Sequence, residues 1–236
     1  MKYILFDLDG TLLPMDEEVF TRAYFKALIR KLAPYGYDPD TLVNGIWAGF
    51  ASMVRNDGGR TNEEAFWETF AHAFGDSVYQ DKLLLDGFYA NEFDQTKEVC
   101  GYNPEASALI RQLKADGYQI VIASNPIFPE VAQKKRLTWA GLDNRDFIYI
   151  TTYEDSHYCK PNPEYYREII KRMECKEEDC LMVGNDVEED MIAYEVGIQT
   201  FLLTDCLINT KRKDISIYSR GGFKQLREFI YNDSVL

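Results

Sequence analysis

Lys2-Tyr3-Ile4-Leu5-Phe6-Asp7-Leu8-Asp9-Gly10-Thr11 begins as an apolar run and breaks into two acids, a glycine and a threonine. An unbroken apolar run without polar alternation is the pattern of a parallel strand buried on both faces. The acids then fall at the strand's carboxyl end. Asp7 and Asp9 are two residues apart, so they share one side of an extended chain, and the turn at Gly10 frees the second side chain.

Downstream the pattern alternates. Asn103-Pro104 opens a helix that closes at Gly117, and the strand Tyr118–Ser124 follows. A helix from Pro129 to about Ala140, the strand Phe147–Thr151 and a helix opened by Asn162-Pro163 come next. The strand Leu181–Gly184, a helix running to Glu195 and stopped by Gly197, the strand Thr200–Leu203 and a helix over FKQLREFI complete the series. Such alternation predicts an α/β fold, a Rossmann-like parallel sheet with helices on both faces. The segment from about Asp16 to Asp94 shows helical periodicity instead. Phe20, Tyr24, Ala27, Leu28 and Lys31 trace one face there, and Ala65, Phe66, Thr69, Phe70 and Ala73 another. It reads as a smaller α-helical block inserted after the first strand.

Ligands of such sheets bind beyond the carboxyl ends of the strands. The first strand delivers Asp7 and Asp9 to that edge, and the second delivers Ser124. Lys160 follows the third, and Asn185 and Asp186 end the fourth. A phosphate ester resists attack because its nucleophile must approach negative charge, so its cleavage needs positioning and counter-charge. Asp7 and Asp186 suit a hard cation such as magnesium. Lys160 adds a second positive charge, and Ser124 and the main chain after Asp9 offer donors to phosphoryl oxygens. Asp9 is placed to protonate the leaving ester oxygen and later to take a proton from the attacking water. Taken as bland features, Ser124 and Asp186 read as helix caps, Glu188 and Glu189 as first-turn partners of a helix dipole, and Arg55 and Arg60 as surface charges.

With 39 acidic against 26 basic residues, the chain carries a net charge of −13. That field argues against a nucleic-acid or membrane partner. Five scattered cysteines without a CxxC fit reduced thiols, and the start is too briefly apolar for a signal peptide. A soluble, cytoplasmic protein is expected. His157 and Cys159 flank Lys160 with no second such pair, so no transition-metal site is expected. His72 reads as structural, and Trp47, Phe50, Phe66, Trp67 and Phe70 read most simply as core.

Asp7-Leu8-Asp9-Gly10-Thr11, Ser124-Asn125, Lys160-Pro161 and Gly184-Asn185-Asp186 with Asp190 resemble, in order, the four motifs of the haloacid dehalogenase-like hydrolases. The resemblance covers residues 1–13 and 99–236 as the catalytic core. Residues 14–98 resemble the helical cap that one subclass inserts after its first strand. It implies a magnesium-dependent phosphohydrolase acting on a small phosphorylated metabolite through an aspartyl-phosphate. Asp7 resembles the nucleophile and a metal ligand. Asp9 resembles the acid/base, with its carbonyl on the metal. Ser124 and Lys160 resemble the phosphate binders, with Asn125, Gly10 and Thr11 beside them. Asp186 resembles the third metal ligand, and Asp190 the second acid that supports the metal shell or the lysine. Where many members have Gly-Asp this chain has Gly184-Asn185, so Asp186 and Asp190 both stand as candidates for direct metal contact. An acid at Asp9 separates the chain from the dehalogenating members. The segment Met53–Arg60 is similar to the cap's substrate-reading loop, with Arg55 its candidate contact. A phosphomutase, or a catalytically silent binding or regulatory protein on the same fold, are the alternatives. Oligomeric state is not legible.

Overall fold

The computed structural model describes residues 2–232. Met1 and residues 233–236, which the sequence assigns to the core, lie outside the described residues. Six strands form one sheet: β1 (Tyr3–Phe6), β2 (Gln119–Ile122), β3 (Tyr149–Ile150), β4 (Cys180–Gly184), β5 (Gln199–Leu203) and β6 (Ser219–Gly221). Their spatial order is β3-β2-β1-β4-β5-β6, and every neighbouring pair is parallel. Phe6 pairs with Ile122 on one side and Val183 on the other, so the tips of β2, β1 and β4 end level. The strand order reverses beside β1, where open α/β sheets bind their ligands.

Alternate β1 residues enter two separate apolar layers, as the pleat requires. Ile4 and Phe6 pack with α5 (Pro104–Ala115), α6 (Glu130–Trp139) and α8 (Phe223–Asn232), through residues such as Leu109, Leu137 and Leu226. Leu5 packs on the opposite face against Tyr165, Tyr166 and Ile169 of α7 (Pro163–Met173). Both predicted Asn-Pro starts are caps. The side chains of Asn103 and Asn162 accept from the main-chain N–H two residues on, and each proline occupies the first turn.

Residues between β1 and α5 contribute no strand. They form α1 (Glu17–Leu32), α2 (Pro39–Val54), α3 (Asn62–Phe74) and α4 (Lys82–Ala90), with short 3₁₀ turns between. Gly45 and Gly49 let α2 lie directly against the rings of Phe66, Phe70 and Phe74 on α3. An aromatic cluster ties this block to the sheet. The ring of Phe128, in the loop after β2, lies 5.5 Å from Tyr24, 5.8 Å from Phe50 and 6.1 Å from Phe93. The two chain passages that join block and sheet run side by side, with Met15 bridged to Cys100 and Gly101 N donating to Pro14 O at 2.6 Å.

Two elements differ from expectation. The segment after β4 is not the expected α-helix running to Glu195. Turns lead to a 3₁₀ helix at Met191–Val196, because the local acids bind backbone and a lysine rather than lining one helix face. The strand β6 is a polar edge strand that apolar patterning cannot reveal.

Candidate active site

Beyond β1 the chain turns at Gly10, which has φ +79°. A side chain there would strike the amide of Asn185, so glycine serves both conformation and space. The Thr11 hydroxyl donates to Asn185 Oδ1 at 2.7 Å, and Asn185 Nδ2 donates to Cys206 O at 2.8 Å. Gly10 and Thr11 thus lock the β1 turn to the β4 tip.

Lys160 is buried behind the strand tips and donates to Asp7 Oδ1 at 2.9 Å and Asp190 Oδ1 at 2.6 Å. Burial opposes its charge, but the two carboxylates more than offset this and hold its pKa well above the usual lysine value. It is a fixed cation. Asp190 folds back beneath the end of β4, where its Oδ2 also accepts from Asp186 N at 2.9 Å. Only a residue without a side chain at Gly184 leaves room for that carboxylate.

Asp9 has a partner that the sequence reading missed. The Arg136 guanidinium, buried on α6, binds Asp9 Oδ2, donates to Gln133 Oε1 at 2.6 Å and lies 4.5 Å from the centre of the Phe128 ring. Asp9 Oδ1 is buried without a partner among the described residues. Desolvation raises the Asp9 pKa, Arg136 pulls it back and Asp7 pushes it up again, leaving it at about 6. The signal was a charge on the inward stripe of a helix: Ala132, Gln133, Arg136, Leu137 and Ala140 are all buried.

Asp7 and Asp9 open into a cavity of about 510 Å³, also lined by Ser124, Asn125, Asn185, Asp186, Glu189 and Asp190. Asp186 is half-buried there, and its Oδ1 caps the turn by accepting from the N–H groups of Glu188 and Glu189. Glu188 points away to Lys211, whereas Glu189 enters the site and accepts from Asn125 Nδ2 at 3.1 Å. The dipole-partner reading of Glu189 therefore fails, since no α-helix begins there. Desolvation raises the Glu189 pKa; Lys160 lowers it, and Asp190, Asp186 and Asp7 raise it, to about 8. Glu17, at the solvent edge, is raised to about 7 by desolvation and by Asp7, Asp9, Asp186 and Asp190.

The helical block closes the cavity's far end. Of the helical block's aromatics read as core, Trp47 and Phe50 line the cavity, while Phe66, Trp67 and Phe70 are absent from its wall. Arg55 lines it with its side chain exposed and bonded to no described residue. Arg60 pairs instead with Glu68. Asn56 is buried and donates to Arg60 O and Asn62 Oδ1, which pins the turn behind Arg55. His157 bonds Glu168 at 2.7 Å, and Cys159 Sγ accepts from Asn62 at 3.3 Å.

Among the described residues no cluster of three His, Cys, Asp or Glu side chains is placed to hold a metal. The set expected here is different: carboxylates of Asp7 and Asp186 with the Asp9 carbonyl. Its donors are all hard oxygens, which suits an ion that keeps several waters. The raised pKa values of Asp9, Glu17 and Glu189 record negative charge that Lys160 and Arg136 leave uncompensated. These residues fit a divalent cation.

A Rossmann-like sheet whose tips gather two such acids, a buried lysine and a covering helical block defines a class of hydrolase. The haloacid dehalogenase-like hydrolase profile matches residues 1–195, and the chain belongs to that family. It is 29% identical over 113 residues to a glyceraldehyde 3-phosphate phosphatase of Methanothermobacter thermautotrophicus, a match spanning 48% of this chain and about half, 49%, of that protein. It is 26% identical over 207 residues to the ribulose-1,5-bisphosphate 5-phosphatase of Halopiger xanaduensis, covering 84% of this chain and 83% of that one. The HAD-hydrolase YfnB of Bacillus subtilis, described as bound to magnesium, shares the fold with a TM-score of 0.57 at 20% identity over 98% of both chains.

Proposed function

We propose that the chain is a phosphohydrolase that cleaves a phosphate monoester of a small molecule, with residues 14–98 acting as a cap over a core of 1–13 and 99–236. The observation that carries this reading is Asp7 held by the buried Lys160 in the same cavity as Asp9, whose carboxyl pKa burial raises. Lys160 orients Asp7 through Oδ1. A carboxylate oxygen of Asp7 attacks phosphorus, the ester P–O bond breaks, and Asp9 protonates the departing alkoxide. Asp9, now a carboxylate, takes a proton from water that attacks the aspartyl-phosphate. The acyl phosphate P–O bond breaks, releasing phosphate and restoring Asp7. Arg136 keeps Asp9 aimed, and the Ser124 hydroxyl donates to a phosphoryl oxygen.

Magnesium, generally used by the family, would be held by Asp7, Asp186 and the Asp9 carbonyl and would neutralise charge on the phosphate oxygens. Asp186 is favoured over Asp190 as the direct ligand because Asp190 is committed to Lys160 and to Asp186 N. The test is phosphate release from acetyl phosphate and p-nitrophenyl phosphate with magnesium at neutral pH. Asp7→Asn keeps the shape and removes the nucleophile, so the rate falls by a factor on the order of 10³ or more. EDTA abolishes release as well. Activity that survives either treatment overturns the mechanism.

A further inference from the structure

The cavity has two unlike ends. At the strand tips it is polar and acidic. Toward the helical block its wall is made by Phe20, Phe25, Trp47, Phe50, Val54 and Phe128. From these observations we infer that the leaving group is apolar: the substrates are phosphate monoesters of aromatic or hydrocarbon alcohols. This rests on the phosphohydrolase reading and adds the substrate class.

Polar groups are scarce at the apolar end. The helical block contributes Glu17, Thr21, Tyr24 and Arg55 to the wall, and the Tyr24 hydroxyl is already paired with that of Tyr89 at 2.8 Å. A sugar phosphate would have to bury several hydroxyls against rings that cannot pair them, and each unpaired hydroxyl weakens binding. A second phosphate or a carboxylate would meet one exposed guanidinium and the repelling carboxyl of Glu17. An aromatic or hydrocarbon group meets walls that suit it. Trp47 lies at 88° to Phe50, and Phe50 at 64° to Phe128, so the site offers both ring faces and ring edges. Packing alone does not account for this wall. Trp47 is 49% exposed and Val54 is 42% exposed, although both border the cavity. Two large apolar side chains left in water at the mouth of a cavity mark a binding surface.

The experiment compares 2-phenylethyl phosphate with ribose 5-phosphate, both esters of primary alcohols, so the leaving-group chemistry is matched. Acetyl phosphate reports the chemistry with almost nothing for the far end to hold. With magnesium present, kcat/KM for 2-phenylethyl phosphate exceeds that for ribose 5-phosphate by about tenfold or more, through KM. Trp47→Ala and Val54→Asp each shrink this ratio by about tenfold. Both positions are solvent-facing, so the variants retain the fold, as circular dichroism will verify. Equal or reversed preference, or a ratio unmoved by both variants, overturns the substrate class while acetyl phosphate turnover upholds the phosphohydrolase. No release from either ester or from the acyl phosphate overturns both.

Discussion

At the scale of single residues, the pair Asp9–Arg136 decides how the proposed proton donor behaves. Arg136 is the cation that lowers an otherwise desolvated carboxyl, so it sets both the aim and the pKa of Asp9. Replacing it by glutamine removes the lowering influence, and the Asp9 pKa rises above about 6. More of the donor is then protonated at neutral pH, and the alkaline limb of the kcat profile moves upward. The optimum kcat nevertheless falls by about tenfold or more, because the carboxyl loses its orientation. Arg136→Lys keeps the charge and returns the limb toward its original position. A lowered kcat with the limb unmoved would make Arg136 a packing residue only. Asp7 and Asp9 were legible because an apolar strand ending in DxDGT has no structural need for two acids. Arg136 was not, because 127 residues separate it from Asp9 and its helix reads as an ordinary amphipathic one. Nor was Glu189, whose place depends on turns bonded by neighbouring carboxylates.

At the scale of elements, the parallel sheet was readable because buried strands are apolar throughout and the Asn-Pro caps mark where helices start. The edge strand β6 carries Ser219, Arg220 and Gly221, and such a strand leaves no apolar trace. What the pattern could not supply is how the helical block is fastened. Its α3 begins at Asn62, fully buried, whose amide reaches Pro126 O, Tyr158 O and Cys159 Sγ, each at 3.3 Å. Asn62 N donates to Ser156 O at 2.8 Å, and Glu63 N to Tyr153 O at 2.8 Å. One helix start is therefore sewn to the loops that follow β2 and β3. Asn62→Ala leaves the Asn56 amide and two carbonyls short of a partner, so unfolding free energy falls by about 2–3 kcal/mol. Denaturant titration at constant m measures it. A change below about 0.5 kcal/mol would mean that water replaces these bonds and that the fastening is done by the aromatic cluster alone.

At the scale of the whole molecule, the net charge of −13 sharpens at the cavity, where carboxylates outnumber the cations that answer them. The folded pKa values of Asp9 and Glu189, about 6 and 8, stand above their ordinary values of 3.8 and 4.5. A carboxyl raised by folding binds more protons in the folded state than in the unfolded chain across that interval. Stability therefore falls as pH rises from about 4 to about 8. A divalent cation held at the strand tips would act in the opposite sense, since it favours the ionised forms. In EDTA the melting temperature should drop steadily between about pH 5 and pH 8. Magnesium at a hundredfold excess over its Kd should raise it on the order of 5–10 °C, with the larger gain at the higher pH. Scanning calorimetry with and without the ion measures both slopes. A melting temperature indifferent to magnesium, or one that climbs with pH in EDTA, would contradict the view that the strand tips are an acidic nest awaiting a cation.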